Sequence, residues 1–401
     1  MSTVDRTGGD HVIVVGAGPA GSIAATVLAR AGVRVRLLDR ASFPRDKLCG
    51  DTVNPGTLAA LRRLGLSASI EERGLPVHGM RVTGEHGVVI EGRYPRNLIG
   101  RAIVRRDFDW ALLGGATDAG ATFEPGLAVR RAIVEEAAGR RSIAGVVVNA
   151  RCGGAGAGPE RELRAPVTIA ADGRRSTLAF GLGLARHPGA PRRWAIGAYF
   201  ENVVTPTTMF GEMHVRRGRF IGVAPLPDAL TNACLVKPSG PGDPSLHDPE
   251  SVLRRELARD PMLCGRFADA RLVQPPVVLG PLAVDIQHVD IDGLLLAGDA
   301  SGFIDPLTGD GLRFAVRGAE LAALAALEAL EHGWTGVHAR LAARRRREFG
   351  VKWRFNRAVR ALVASPRAVD AAALGARIAP VLLRAAIAYA GDCGVAIESL
   401  H

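Results

Sequence analysis

Four short stretches of the chain have the pattern of strands in a parallel sheet, and the first of them is apolar without a break, as a strand buried on both faces needs to be. Helical patterns follow the first and the last of these stretches. The strand-like stretches are residues 12–15, 33–38, 167–171 and 294–297, and the helical patterns cover 23–31 and 312–330. Strands that alternate with helices in this way predict an α/β domain built on a parallel sheet.

The middle of the chain carries short β-rich runs that are separated by Gly, Pro and Asn. These runs are residues 194–201, 208–215, 219–224 and 232–237. Their spacing predicts an antiparallel sheet. Residues 143–149 and 162–170 flank a Gly-rich stretch, which we interpret as a hairpin tip. It is not a second dinucleotide-binding loop, because Pro159 and a polar strand follow where a helix would have to start.

A glycine motif follows the first apolar stretch at the GxGxxG spacing. Gly16 permits a tight turn, Gly18 lets the backbone approach a pyrophosphate, and Gly21 lets the next helix pack close to the strand. Asp39 ends the second strand about 20 residues farther on, where a carboxylate accepts ribose hydroxyls. With the adjacent Arg40, these residues predict a dinucleotide-binding unit.

Three segments together resemble the flavin motifs of the glutathione-reductase-type FAD enzymes. They are GAGPAGS at 16–22, VTIAADGRRSTLAFGLGL at 167–184 and GLLLAGDASGFIDPLTGDGLRFAVRGAELAA at 293–323. They are most similar to the branch that contains group A flavoprotein monooxygenases, flavin-dependent halogenases and geranylgeranyl reductases. The resemblance implies an α/β fold, in which a Rossmann-like FAD-binding domain carries an inserted antiparallel β-sheet substrate domain and a C-terminal helical region.

The third segment implies a site for the flavin itself. By resemblance, Asp299, which follows Gly298 at the end of a strand, holds the ribityl chain of FAD. After Pro306, Gly309 and Gly311 lead into a helix whose start would point at the flavin pyrimidine. Backbone donors and a partial positive charge there favour the anion that forms when FAD is reduced.

Other residues near the cofactor are implied by the same resemblance. Asp172 in the second segment is expected near the pyrophosphate, and Arg105 is a candidate for a pyrophosphate contact. The segment FPRDKLCG at 43–50 resembles the geranylgeranyl reductases, whose arginine and cysteine lie close to the flavin. Arg45 is therefore a cofactor candidate. Cys49 either borders the flavin or substrate, or is a small buried apolar residue.

The expected domains are discontinuous. We predict an FAD-binding domain from residues 1–77, 105–184 and 285–330, a substrate-binding domain from 78–104 and 185–284, and a C-terminal helical region over 331–401. No separate nicotinamide-binding unit is expected. Either NADH or NADPH docks transiently to reduce the flavin, or a partner flavin reductase delivers the electrons.

The expected activity is that of an FAD-dependent oxidoreductase acting on a bulky apolar small molecule, such as a polycyclic or isoprenoid metabolite. We expect a monooxygenase, with double-bond reduction of the geranylgeranyl reductase type as the alternative. FIGVAPLP at 220–227 stands where the reductases carry an aromatic substrate motif. Halogenation ranks third, and a flavin-binding scaffold or membrane adaptor is the alternative without catalysis. Tyr199, Glu212 and His214 are low-ranking candidates for proton transfer, and no catalytic residue is assigned.

Composition restricts these classes further. The five cysteines are odd in number and form no CxxC pair, which argues against a disulfide framework and against a metal site. The first strand begins by residue 11, which leaves no room for a secretion signal and predicts a cytoplasmic protein.

The formal charge of +11 is compatible with nucleic acid, an anionic membrane or an acidic substrate. No nucleic-acid-binding module accompanies it, so no nucleic-acid partner is expected. Residues 344–347 are four arginines inside a helical pattern that also holds Phe349, Trp353 and Phe355. Such a run is usually a solvated helix face, and here it leaves a peripheral membrane contact open.

Overall fold

The computed structural model describes residues 11–48, 50–137, 139–151, 157–190, 192–206, 209–240, 242–243 and 246–398. The strands are β1 (Val12–Val15), β2 (Val35–Leu38), β3 (Thr52–Val53), β4 (Leu75–Val77), β5 (Gly79–Thr83), β6 (Val89–Arg93), β7 (Gly100–Ala102), β8 (Thr122–Glu124), β9 (Leu127–Ala137), β10 (Arg140–Arg151), β11 (Ala157–Arg164), β12 (Val167–Ala170), β13 (Ala185–Arg186), β14 (Arg193–Glu201), β15 (Gly211–Arg216), β16 (Arg219–Pro225), β17 (Thr231–Pro238), β18 (Arg271–Leu272), β19 (Val277–Leu279), β20 (Asp285–Ile286) and β21 (Leu294–Leu296). The helices are α1 (Pro19–Arg30), α2 (Pro55–Arg63), α3 (Ala68–Arg73), α4 (Arg105–Asp118), α5 (Thr177–Gly181), α6 (Pro249–Arg259), α7 (Gly311–His332), α8 (Val337–Ala364), α9 (Pro366–Ile378), α10 (Pro380–Ala390) and α11 (Cys393–Glu398).

A parallel sheet forms the centre of the α/β part, with the strand order β21-β12-β1-β2-β8 among the described residues. The side chains of Val12 and Val14 pack against α1, α4 and α7 on one face, and Ile13 and Val15 pack against the layer of β9, β10 and β11 on the other. Every residue of β1 is buried, which explains its unbroken apolar sequence. The predicted α/β fold class is confirmed.

Several element boundaries differ from the sequence prediction: the predicted run 162–170 is divided between β11 and β12, and β15 begins at residue 211 and not at 208. Two further differences have a clear local cause. Helix α1 begins at Pro19, four residues earlier than predicted, because Gly18 caps it and proline suits the first turn. Strand β2 begins at residue 35 and not at 33. The backbone N–H of Val33 still donates to the carbonyl of Leu28, so the chain is completing the helix end through Gly32, whose φ is +81°.

The second large sheet has, within the described ranges, the order β18-β14-β17-β16-β15-β5-β6, and β19 also pairs with β14. It is antiparallel as predicted, except that β15 pairs with β5 in parallel. This pair is parallel because β5 arrives from a distant part of the chain and not through a hairpin. Helix α6 covers one face through Leu253 and Leu257, which pack with Ile196 and Leu235.

The C-terminal helices pack against both large sheets, and part of the arginine-rich helix α8 is buried in this packing. The guanidinium of Arg345 is buried and donates to the carbonyl of Leu296, so this residue does not belong to a solvated face. Phe349 is buried against Phe314, and Trp353 packs on Phe349. The aromatic residues that suggested a membrane-facing helix therefore point into the protein.

Candidate functional site

The glycine motif lies where the first two flavin-like segments meet. A Cβ atom on Gly16 would lie 2.5 Å from the carbonyl oxygen of Ala171, and one on Gly21 would lie 1.7 Å from the carbonyl oxygen of Gly16. Ala171 also donates its N–H to Val15 across the parallel sheet. These contacts require glycine and bring Asp172 beside the turn at Gly16.

Two arginines lie over this turn. The position of a Cβ on Gly18 is 3.5 Å from an Nη atom of Arg45 and 4.0 Å from one of Arg105. Both guanidinium groups are held by the buried carboxylate of Asp109, which accepts from Arg105 Nε and lies 3.1 Å from Arg45 Nη1. The start of α1 and two fixed cations thus face one point, an arrangement that suits a pyrophosphate.

Further charged side chains lie near this turn. We call the surface lined by the turn, Arg45, Arg105, Lys47, Arg174 and Asp299 the groove. Burial raises the pKa of Asp299, and the nearby cations Lys47, Arg105 and Arg174 oppose this rise. Desolvation, followed by repulsion from Arg105 and Arg45, lowers the pKa of Lys47 to about 8, although part of the residue is exposed. A carboxylate among cations at a strand end is thus placed beside the turn.

The third segment is close to the first at Gly298, where an added Cβ would lie 2.8 Å from the Cβ of Ala20. Its other end, residues 306–309, lines a separate cavity of about 660 Å³, and Gly311 begins α7 directly after it. Gly309 has a φ of +70° and donates its N–H to the carbonyl of Pro306. The segment therefore connects the charged groove with an apolar cavity.

Two buried polar atoms in the groove have no hydrogen-bond partner among the described residues. They are Arg174 Nη1 and Asp172 Oδ1. The other oxygen of Asp172 accepts the N–H of Thr177 at 2.7 Å and caps α5 together with Ser176. A buried guanidinium nitrogen without a hydrogen-bond partner fits an anionic group of a bound cofactor.

A model of the FAD binding domain family matches residues 10–351, most of the chain. The chain belongs to this FAD-binding family. FAD is its cofactor, as predicted. The chain is 30% identical to the menaquinone reductase of Mycolicibacterium smegmatis over 325 residues, which are 78% of this chain and 75% of the relative. It is also 30% identical to digeranylgeranylglycerophospholipid reductase 2 of Methanopyrus kandleri over 333 residues, 81% of this chain and 79% of the relative.

Solved structures of FAD-dependent enzymes share the fold. The flavin-dependent brominase Bmp2 superposes with a TM-score of 0.80 at 20% identity, covering 96% of this chain and 94% of its own. A geranylgeranyl bacteriochlorophyll reductase-like protein from Thermoplasma acidophilum gives 0.75 at 22% identity, covering 90% and 89%. The predicted superfamily is confirmed, and these distant similarities concern the fold alone.

The residues of the groove fit FAD. The start of α1 with Arg45, Arg105 and Arg174 would hold the pyrophosphate, and Asp299 would hold the ribityl chain. Both oxygens of Asp39 accept backbone N–H groups, of Ala17 and of Ala41, at 2.8 Å each. These bonds fix the carboxylate at the end of β2 and leave lone pairs for ribose hydroxyls. Arg40 is exposed beside it. When bound, FAD supplies a two-electron carrier.

The candidates for proton transfer lie in two different environments. Glu212 contributes to the cavity wall, but its carboxylate forms a bidentate ion pair with Arg266 and lies 3.1 Å from His214. Burial alone would raise the pKa of Glu212, but the hydrogen bonds from His214 and Arg266 lower it. His214 is on the face that packs on α6, with Thr83 at its other ring nitrogen. Neither side chain is aimed at the cavity.

Tyr199 instead contacts a carboxyl group at the cavity. Asp51 accepts hydrogen bonds from Tyr199, from the amide of Asn232 and from the backbone N–H of Arg105. Burial is the largest effect and raises the pKa of Asp51 to about 7. Asp51 itself is buried at a φ of +51°, while its neighbours Gly50 and Thr52 line the cavity. Cys49 lies outside the described residues.

The sequence analysis missed Lys47, Asp51, Asp109 and Arg174. Lys47 and Asp51 lie in or directly after the segment 43–50, which was searched only for its arginine and cysteine. Asp109 lies four residues after Arg105, a spacing that pairs side chains along one helix face. Arg174 directly follows the Asp-Gly turn of the second segment. Each of these residues lies next to a motif that the sequence analysis had identified, but only the folded structure shows that its side chain reaches the site.

Proposed function

We propose that the protein is an FAD-dependent reductase of carbon–carbon double bonds in the isoprenoid chain of a lipid. The observation that carries the proposal is the cavity of about 660 Å³, where Glu212 is the one charged residue among the described residues that line it. A cavity of this size and polarity suits an apolar chain. The names of the relatives support reduction: a menaquinone reductase and a digeranylgeranylglycerophospholipid reductase. This choice ranks reduction above the oxygenation expected from the sequence.

The cavity is built from three parts of the chain. Strands β5 and β15 to β17 supply one wall, the third flavin segment supplies another through residues 306–309, and α8, α9 and α10 close the remaining side. Along β15, Met213 and Val215 face the cavity, while Glu212 and His214 alternate to the α6 side. An apolar substrate held here would lie between the substrate sheet and the start of α7.

Reduced FAD would supply a hydride to one carbon of the double bond, and the other carbon needs a proton. We assign this role to Asp51, because its carboxyl has a pKa near 7 and its hydrogen-bond partner Asn232 lines the cavity. In the protonated state Asp51 donates the proton and becomes a carboxylate, which the hydrogen bonds from Tyr199, Asn232 and Arg105 stabilise.

Because the reaction needs protonated Asp51, the rate of alkene reduction is expected to fall as pH rises through about 7. Asp51→Asn should retain FAD and lose about a hundredfold or more in this rate. The exposed Asp46 in the same loop provides the control, and Asp46→Asn should keep both rate and pH profile. Tyr199→Phe removes a hydrogen-bond donor that lowers the pKa of Asp51. The inflection in the pH–rate profile of this variant should therefore move to higher pH. A pH profile that is identical in all three variants would refute the assignment.

The reaction itself is tested by anaerobic single turnover. The reduced holoenzyme is mixed with a polyprenyl lipid, such as a menaquinone or a geranylgeranyl phospholipid, and the flavin absorbance is followed while the lipid is analysed by mass spectrometry. Reoxidation without oxygen, with a product heavier by two hydrogens, is the expected result. If the flavin stays reduced until oxygen is added and the product then gains an oxygen atom, the protein is a monooxygenase.

A further inference from the structure

The corner between α9 and α10 exposes a group of large apolar side chains. Their exposed fractions are 60% for Leu374, 76% for Ile378, 68% for Val381 and 73% for Leu382. These four residues fall within nine positions around the break between the two helices, which are bent by 109°. Isolated exposed leucines are common on protein surfaces, whereas a local group of this kind marks an interaction site.

Two of these residues also line the cavity. Ile378 and Leu382 belong both to the exposed corner and to the cavity wall, together with the intervening Ala379. Deeper in the same wall, Ala373 and Ile387 are buried. The cavity therefore opens at the corner, and an apolar path leads from the outer surface to the third flavin segment.

Charge around the corner has one predominant sign. The exposed cations Arg367, Arg377 and Arg384 lie on α9 and α10, and the acidic residue of these helices, Asp370, is paired with Arg217 at 2.8 Å. Apolar side chains with arginines beside them are typical of segments that lie in the interface of an anionic bilayer. A protein partner would also cover the apolar side chains, but it would not explain the arginines beside them, whereas an anionic bilayer explains both.

We propose that the corner formed by Leu374, Ile378, Val381 and Leu382 inserts into the surface of an anionic lipid bilayer, so that the cavity opens directly into the lipid. Among the described residues no single helix is long and apolar enough to span a bilayer, and α9 and α10 meet that length and composition only together, as a pair bent by 109°. We place this bent pair in one leaflet. The membrane contact does not depend on the proposed function. Only the identity of the molecule that enters the cavity rests on it.

The test is co-sedimentation of the FAD-loaded protein with vesicles of phosphatidylcholine alone or with 30% phosphatidylglycerol, since it measures binding without turnover. Binding is expected to be stronger to the anionic vesicles and to weaken with salt. Ile378→Ser and Leu382→Ser should each lower the partition coefficient about tenfold. Val204→Ser provides the matched control, because Val204 is 65% exposed in the loop after β14 and this variant should leave binding unchanged.

A second measurement covers the case in which a variant changes the fold. Leu382→Trp should show tryptophan fluorescence that brominated lipids quench, whereas Val204→Trp should not. Equal binding of all variants, or no quenching of the tryptophan at 382, would overturn the proposal. So would a protein that self-associates without lipid and becomes monomeric in Leu382→Ser, because the corner would then bind a second copy. If vesicles bind but no alkene is reduced, the proposed function fails and the docking surface stands.

Discussion

Gly21→Ala is expected to destabilise the protein by about 3 kcal/mol and to abolish retention of FAD. The new Cβ would lie 1.7 Å from the carbonyl oxygen of Gly16, and 2.9 Å from its carbonyl carbon. Both are backbone atoms, so the contact is relieved only if α1 moves away from the turn. That movement shifts the start of α1 from the point at which Arg45 and Arg105 converge. Urea unfolding gives the stability change, and flavin absorbance of the purified protein gives the occupancy.

The matched control is Gly114→Ala, the same substitution in the interior of α4. Nothing lies within 4 Å of the Cβ position at Gly114. Alanine there is expected to leave FAD content unchanged and to stabilise the helix by up to about 1 kcal/mol. Equal stability and flavin content in the two variants would show that α1 does not need its close approach to the turn.

Lys352→Met is expected to cost about 3–5 kcal/mol, because it leaves the buried carboxylate of Asp310 without its cation. The ammonium group of Lys352 lies 3.1 Å from Asp310 and 3.0 Å from Asp392, and it donates to the carbonyls of Tyr389 and Ala390. It thereby joins α8, the end of α10 and the residue that precedes α7. Burial already raises the pKa of Asp310 to about 6, and loss of the cation raises it further.

The stability deficit of Lys352→Met should therefore shrink as pH falls, since protonation of Asp310 removes one unpaired charge. Lys237→Met is the control, because Lys237 lies 3.7 Å from Asp243 in a partly exposed pair worth about 1 kcal/mol or less. Unfolding curves at several pH values separate the two cases. A deficit that is small at all pH values, or that grows on acidification, would contradict the assigned role of Lys352.

The sequence alone determined the architecture and a dinucleotide site, and the resemblance of three segments to flavin motifs identified the dinucleotide as FAD. Short-range patterns suffice for these: an unbroken apolar run means a strand with two buried faces, and a glycine triplet between strand and helix means a close backbone approach. The four buried strands and the three flavin segments were therefore predicted from residues that are neighbours in the chain. The helix start at Pro19 was misplaced because capping by Gly18 depends on backbone geometry, which a periodic pattern does not contain.

The tertiary structure decided everything that depends on residues distant in the chain. The pKa of Asp51 is near 7 because the fold buries its carboxyl group, while hydrogen bonds from Tyr199 of β14 and Asn232 of β17 oppose part of this rise. In the sequence, Arg345 is one of four consecutive arginines that look equivalent. In the contacts described, it is the one that donates to the carbonyl of Leu296. The apolar sequence at 374–382 resembles that of an ordinary core helix, and only packing leaves it exposed at the mouth of the cavity. Burial and charge pairing are sums over the whole fold, so no local pattern encodes them.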